Sequence, residues 1–407
     1  MKMKLVQISD IRDKKIPYSF TGGPFGSDLK QIDYTEKGIR IIQLQNIGDG
    51  AFNNTYKIFT SEEKANQLHS CLIYPGDIII AKMADPLGRA CIVPDFEEKY
   101  LMGSDGIRLA VDKKQYDAKY IMEIINSNTV RRKIERLGTG STRLRIGLTE
   151  ISKLSFDVHD LEEQKKIAEI LSTWDTAIEV QNRLIIEKRS FLENLSLALV
   201  KNHRSLSSST TSWKLTPLSE VFKENKEYAF ESESLKLYSL TIEDGVTPKT
   251  DRYNREFLVK GGSKKYKVTK FHDLVFNPQN LRYGAIALNE NENPVLLSPI
   301  YATMEVKNKE IYDIHYFTYL LTSKEMIKYY DSIAEGTLVE RMTVKPDVFL
   351  KQEFMIPPYE EQKKISTILN EIKKEITLLE QELECRKLQK KGLMQQLLTG
   401  NIRVKTS

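Results

Sequence analysis

The sequence predicts an α+β protein built twice: a mixed α/β domain followed by a long helix, and then the same pair again. Three observations carry this. The hexapeptide EEQKKI stands at Glu162–Ile167 and again at Glu360–Ile365, 198 positions on. Each copy opens a run of about 40 residues whose apolar positions are spaced three and four apart. Upstream of each copy, short β-branched runs flank polar, glycine-bearing loops and read as strand, loop, strand.

In chain order, KLVQISDI (Lys4–Ile11) resembles KLTPLSEV (Lys214–Val221), although the first copy has no tryptophan to match Trp213. Next, GDIIIAKMADPLGRACIV (Gly76–Val93) resembles HDLVFNPQNLRYGAIAL (His272–Leu288), aligning Asp77 with Asp273 and Gly88 with Gly284. YIMEIINSN (Tyr120–Asn128) and YFTYLLTSK (Tyr316–Lys324) read as matching amphipathic helices. A gapless offset of 198 then sets Gly138-Thr139 on Gly336-Thr337, Arg143 on Arg341, Lys153 on Lys351 and Phe156 on Phe354. A chance hexapeptide would not bring such neighbours with it; the chain is two copies of one unit.

In the second long helix the apolar seam runs through Ile365, Leu369, Ile372, Ile376, Leu379 and Leu383 and resumes at Leu393 and Leu397. The first helix steps through Ile167, Leu171, Trp174, Ile178, Ile185, Leu192, Leu195 and Leu199. These are coiled-coil seams, each interrupted at one shared position by a base, Lys188 or Arg386. Glu162-Glu163 and Glu360-Glu361 suit the positive end of a helix, and Gly400 suits a stop. Each stripe needs burial and the other copy offers its match, so the two helices are expected to pack together within the chain. SLSSSTTS (Ser205–Ser212) has linker composition. The expected boundaries are a first domain over 1–155, a helix over 156–204, a linker over 205–212, a second domain over 213–353 and a helix with tail over 354–407.

With 407 residues, 40% hydrophobic and 29% charged, the chain can bury more than one core. No apolar run is long enough to cross a bilayer, and the start lacks a secretory apolar stretch. Cys71, Cys91 and Cys385 form no CxxC pair, so neither a disulfide framework nor a zinc site is indicated. The expected location is the cytoplasm. A net charge of +5 is compatible with a polyanion partner without requiring one.

Several stretches imitate catalytic motifs and fail on their chemistry. IPPYEEQ (Ile356–Gln362) has the shape of an amino-methyltransferase motif, but Ile356 stands where an acceptor for the base's amine is needed. Pro357 and Pro358 suit a helix start instead. GTGSTR (Gly138–Arg143) lacks the lysine and hydroxyl of a phosphate loop, and FTGGPFG (Phe20–Gly26) reads as a turn-rich loop. The five histidines show no metal-ligand spacing. A binding subunit fits these absences better than an enzyme does.

Taken together, the duplicated EEQKKI openings, GTGSTRLRIGLTEISKLSF (Gly138–Phe156), LRYGAIAL (Leu281–Leu288) and the ending KKGLMQQLLTGNIRVK (Lys390–Lys405) resemble the specificity subunits of type I restriction–modification enzymes. The likeness runs over essentially the whole chain. It implies two target-recognition domains, each reading one half of a split double-stranded DNA sequence, separated by two long antiparallel coiled-coil helices in a pseudo-twofold repeat. It also implies two modification (methyltransferase) subunits and restriction/translocase subunits as partners. S-adenosylmethionine, ATP and Mg are then expected on those partners, with no cofactor and no catalysis in this chain. A protein-binding adaptor with tandem repeats is the alternative, and a DNA methyltransferase with an unrecognised site is a more remote one.

Basic side chains beside glycine-containing loops suit phosphate: Lys82, Arg143 and Arg145 in the first domain, Arg341 and Lys345 in the second. Amide and guanidinium groups in polar loops suit base edges. These are Gln43, Gln45, Asn46 and Arg89, then Asn277, Gln279, Asn280, Arg282 and, as their aromatic neighbour, Tyr283. Glu163 and Lys166 with their duplicates Glu361 and Lys364 are expected as exposed helix charges on which two equivalent partner subunits dock.

Overall fold

The computed structural model describes residues 3–83, 85–140, 143–200, 213–249, 264–336 and 342–405. The chain divides into two compact units, and the division is not the sequential one. Met1–Asn182 joins Glu382–Ser407 in the first unit, and Arg183–Gln381 forms the second. The two long helices, Leu161–Val200 and Tyr359–Leu398, are 40 residues each, about 60 Å of helix. Each unit therefore holds one mixed domain, half of its own helix and half of the other copy's.

In the first unit, strand Lys4–Gln7 pairs antiparallel with Ser155–Val158 and runs into a one-turn helix, Ile8–Ile11. In the second, Lys214–Pro217 pairs with Glu353–Ile356 and runs into Leu218–Val221. Ile8 and Ile11 are as fully buried as Leu218 and Val221, so the opening strand forms without the tryptophan. Both units carry a four-stranded antiparallel sheet of one topology. In the first, its order is Phe20–Gly22, Gly106–Leu109, Ile78–Ala81, Ala90–Ile92. In the second, it is Phe222–Glu224, Ala302–Val306, Leu274–Phe276, Ile286–Leu288. The expected strand–loop–strand pairs are the third and fourth strands of these sheets. The expected amphipathic helices are Ala118–Asn126 and Ile314–Leu321, with Asp117 and Asp313 accepting at their N-caps. Among the described residues, the first unit adds a five-stranded sheet where the second has a three-stranded sheet and a hairpin.

The long helices pair antiparallel within each unit. In the first, Lys390 meets Asp175 at 2.6 Å and Gln181 donates to Glu382 at 3.2 Å. Ile167 and Leu171 share a core there with Leu397 and Leu398. In the second, Lys188 reaches Glu375 at 2.8 Å, and Leu199 and Val200 share a core with Ile365 and Leu369. The basic residue that interrupts the first seam is thus matched by an acid on the facing helix. Gly400 follows the second helix at φ +73°, a left-handed stop.

The glutamine of each hexapeptide explains part of the repeat. Gln164 accepts from the Asp117 amide at 2.9 Å and donates to the carbonyls of Gln115 and His159 at 3.2 and 2.7 Å. Gln362 accepts from the Asp313 amide at 2.9 Å and donates to those of Ile311 and Pro357 at 3.1 and 2.9 Å. Each side chain fastens the start of a long helix to the start of a short one.

One gapless equivalence needs correction. Gly138 closes helix Asn128–Leu137, and Ala334 closes Lys324–Ile333 in the same extended conformation. The bridges that follow join Thr139 to Arg145 and Glu335 to Thr343. The second loop is longer by two residues, so Gly138 matches Ala334 rather than Gly336. The register of 198 begins only after that loop.

Candidate nucleic-acid interface

In the first unit, the loop after strand Ile78–Ala81 and the bridged loop Thr139–Arg145 meet. The Ile146 amide donates to the Lys82 carbonyl at 2.9 Å, and the Val344 amide repeats this bond to Pro278 in the second unit. An open cleft of about 900 Å³ lies beside the junction, lined by Lys82 and Arg145 together with the loop Gly22–Gly26. Lys82 is half-buried, donates to the Ser104 carbonyl at 3.1 Å, and has its pKa lowered by that burial. Arg145 is exposed and pairs with Asp105 at 3.1 Å, while Arg143 stands exposed two residues before it.

The base-edge candidates of the first unit divide. Gln45 is exposed. Gln43 is half-buried and donates to the Tyr34 hydroxyl at 3.0 Å. Arg89 is half-buried and donates to the carbonyls of Leu44 and Asp85 at 3.0 and 3.3 Å, which ties two loops together. Asn46 must be withdrawn as a reader of bases. It is fully buried and donates to the carbonyls of Asn53 and Tyr56 at 2.9 and 2.8 Å while accepting from the Gln43 amide. Its amide functions are used up inside the loop they shape.

In the second unit, Gln279, Asn280 and Tyr283 are exposed around a short 3-10 turn that Gly284 closes at φ +92°. Arg282 lies over the Tyr283 ring at 4.6 Å, donates to its hydroxyl and reaches Asp331 at 3.2 Å. Asn277, in contrast, is 8% exposed and accepts from the Gln279 amide at 3.1 Å, so it shapes the turn and is corrected to a supporting residue. Lys345 is exposed and 3.6 Å from Glu335. Arg341 lies outside the described residues.

The expected docking charges also divide. Lys166 and Lys364 are exposed. Glu163 and Glu361 are not: they are 2% and 5% exposed, which corrects their reading as surface charges. Glu163 accepts from Arg403 at 2.7 Å and from the Val404 amide at 3.1 Å. The Arg403 hydrogen bond is the largest influence holding its carboxyl below the usual value. The contact fastens residues 403–404 to the first helix, a partnership across 240 positions that the hexapeptide could not reveal.

Sequence and fold comparisons agree with this geometry. The family model described as the type I restriction modification DNA specificity domain matches residues 30–188 and again 211–385. The putative type I restriction enzyme MjaX specificity subunit of Methanocaldococcus jannaschii is 24% identical over 396 residues, covering 91% of this chain and 88% of that protein. The MjaVIII specificity subunit of the same organism is 27% identical over 161 residues, 39% of this chain and 38% of its own. Among solved structures, the S subunit of a type I restriction–modification system from M. genitalium aligns over 100% of this chain and 97% of its own. Its TM-score is 0.56 at 16% identity, a likeness of fold. With both copies matched and both units built on one frame, the chain belongs to the specificity-subunit family of type I restriction–modification systems and carries its DNA specificity domain twice.

Proposed function

We propose that this chain binds double-stranded DNA with both units, reads a target in two parts, and directs partner methyltransferase and restriction subunits to it. One observation supports the split target most. Gly88 and Gly284 hold the same left-handed position in one frame, at φ +73° and +92°, yet the residues before them differ completely. Pro86-Leu87 in the first unit stands where Arg282-Tyr283 stands in the second. An arginine–tyrosine pair offers donors and a stacking face, whereas a proline–leucine pair offers neither donor, so the two units suit different sequences.

In this reading the chain is not an enzyme and carries no cofactor of its own. Two modification subunits bring S-adenosylmethionine, and restriction subunits bring ATP and Mg. The site of action is the cytoplasm; no described helix is long and apolar enough to cross a membrane. Half-buried Lys82 and the exposed Arg143, Arg145 and Lys345 supply phosphate contact, which releases counterions and makes binding fall steeply with salt.

Co-purification with the modification subunits, followed by DNA-binding titrations at several salt concentrations, tests this. Tight binding to one split sequence, with weak and strongly salt-dependent binding elsewhere, is expected. Assembly with partner proteins but no preference among DNA sequences would favour the adaptor reading.

A further inference from the structure

The two most exposed large apolar side chains among the described residues lie seven positions apart in the first unit, Phe25 at 82% and Ile32 at 89%. The sequence singles out neither, and FTGGPFG reads there as a turn-rich loop. Exposed apolar residues often sit on loose segments, but this one is fastened on both sides of Phe25. The Gly23 amide donates to the Gly106 carbonyl at 2.8 Å. A Cβ on Gly23 would lie 1.8 Å from the Gly103 carbonyl oxygen, so only glycine permits that approach. Pro24 is buried, and the Asp28 amide closes a turn on the Phe25 carbonyl at 2.9 Å. Leu29 packs on the core beneath. Asp33 then accepts from the Lys30 amide at 2.8 Å and pairs with Lys64 at 3.3 Å.

The fastened loop forms one wall of the cleft that holds Lys82 and Arg145. Lys82 sits at its base: its ammonium nitrogen is 2.7 Å from where a Gly22 Cβ would be. Asp28, Asp105 and Glu150 also line the cleft, and Arg145 takes up Asp105. An aromatic ring held out beside two cations suits a ligand with flat apolar faces and a flanking negative charge. Duplex DNA has both, as stacked bases and phosphates. A side chain that enters a base step must be apolar and preorganised, because unstacking consumes energy that a loose loop cannot recover.

The geometry points to Phe25 as an apolar wedge that enters a base step of the half-site read by the first unit, with Lys82 and Arg145 on the adjoining phosphates. This rests on the proposed DNA-binding function and adds to it a residue that senses how easily a step unstacks, rather than which groups line its edge.

The test uses the complex assembled with its modification subunits and a duplex carrying the motif methylated in its presence. 2-Aminopurine is placed singly at successive positions of the first half-site. In the wild type, besides any rise at the base that the methyltransferase flips, fluorescence should rise on binding at one further step. Phe25→Ala should abolish that rise and weaken binding roughly tenfold, the scale of one lost base–aromatic contact. Phe25→Leu should keep much of it, with the salt dependence unchanged in both variants. Phe25 is exposed, so neither substitution should disturb folding. Normal sequence-specific binding with no responding position beyond the flipped base, or an Ala variant indistinguishable from wild type, overturns the wedge and leaves the DNA reading standing. Loss of subunit assembly in the Ala variant with DNA contacts intact overturns it in favour of a protein-docking loop. A wild-type complex with no preference for the duplex overturns both readings.

Discussion

The Gln362 side-chain carbonyl accepts from the Asp313 backbone amide at 2.9 Å, and Gln164 does the same for Asp117 at 2.9 Å in the other unit. Asp313 and Asp117 are themselves N-caps, accepting from the Tyr316 and Tyr120 amides at 2.9 Å each. A repeated hydrogen-bond lock therefore sets the angle at which each long helix leaves its domain. Replacing either glutamine with alanine leaves a helix-capping amide and two carbonyls without partners. Each substitution should destabilise its unit by about 2–3 kcal/mol. Urea unfolding of Gln164→Ala and Gln362→Ala measures it, and similar losses in both variants are expected.

The Glu163–Arg403 pair gives a prediction with a sign in pH. Glu163 has its carboxyl held below the usual 4.5, mainly by the Arg403 hydrogen bond. A depressed carboxylate adds stability above its unfolded value and loses it as pH falls through the folded one. Arg403→Ala should therefore lower the unfolding midpoint at pH 7. The gap from wild type should narrow below about pH 4.5 as Glu163 becomes protonated.

Asp273 carries the opposite sign. It is 2% exposed and burial raises its pKa to about 6, with the Lys270 amide and Asn225 only partly offsetting this. Its counterpart Asp77 has a buried arginine, Arg108, at 2.7 Å; on the matching strand the second unit has none. A carboxyl that binds its proton more tightly when folded destabilises the protein above pH 6 and gives that stability back as pH falls toward 3.8. Asp273→Asn keeps the acceptor without the charge. It should raise the thermal midpoint at pH 7.5, with an advantage on the order of 3 kcal/mol at most, and lose that advantage near pH 4. A variant less stable than wild type at both pH values would contradict this.

Lys82, Arg143 and Arg145 should act through phosphate. Changing each to glutamine should weaken binding to all DNA sequences alike. Each lost contact should flatten the plot of log affinity against log salt by about 0.9. Arg282→Ala should instead alter the preference at one position of the second half-site, by about 1–3 kcal/mol, with little change in the salt slope.

The repeat, the seams and the paired strands were legible because each is periodic or duplicated, and periodicity survives divergence. Glu163 and Asn46 were not. Their burial depends on partners that no local pattern announces, Arg403 at the far end of the chain and the carbonyls of Asn53 and Tyr56. The mismatch of Gly138 with Gly336 arose because a gapless offset hides a two-residue difference in loop length. Phe25 leaves no such mark, because exposure is a property of the folded loop; the glycines and proline around it carry the only hint.

Direction of methylation by this chain is tested by the methylome of a host that expresses the modification subunits with and without it. If this chain supplies the target sequence, one split motif becomes methylated only when the chain is present. An unchanged methylome, with the chain expressed and assembled, would contradict it.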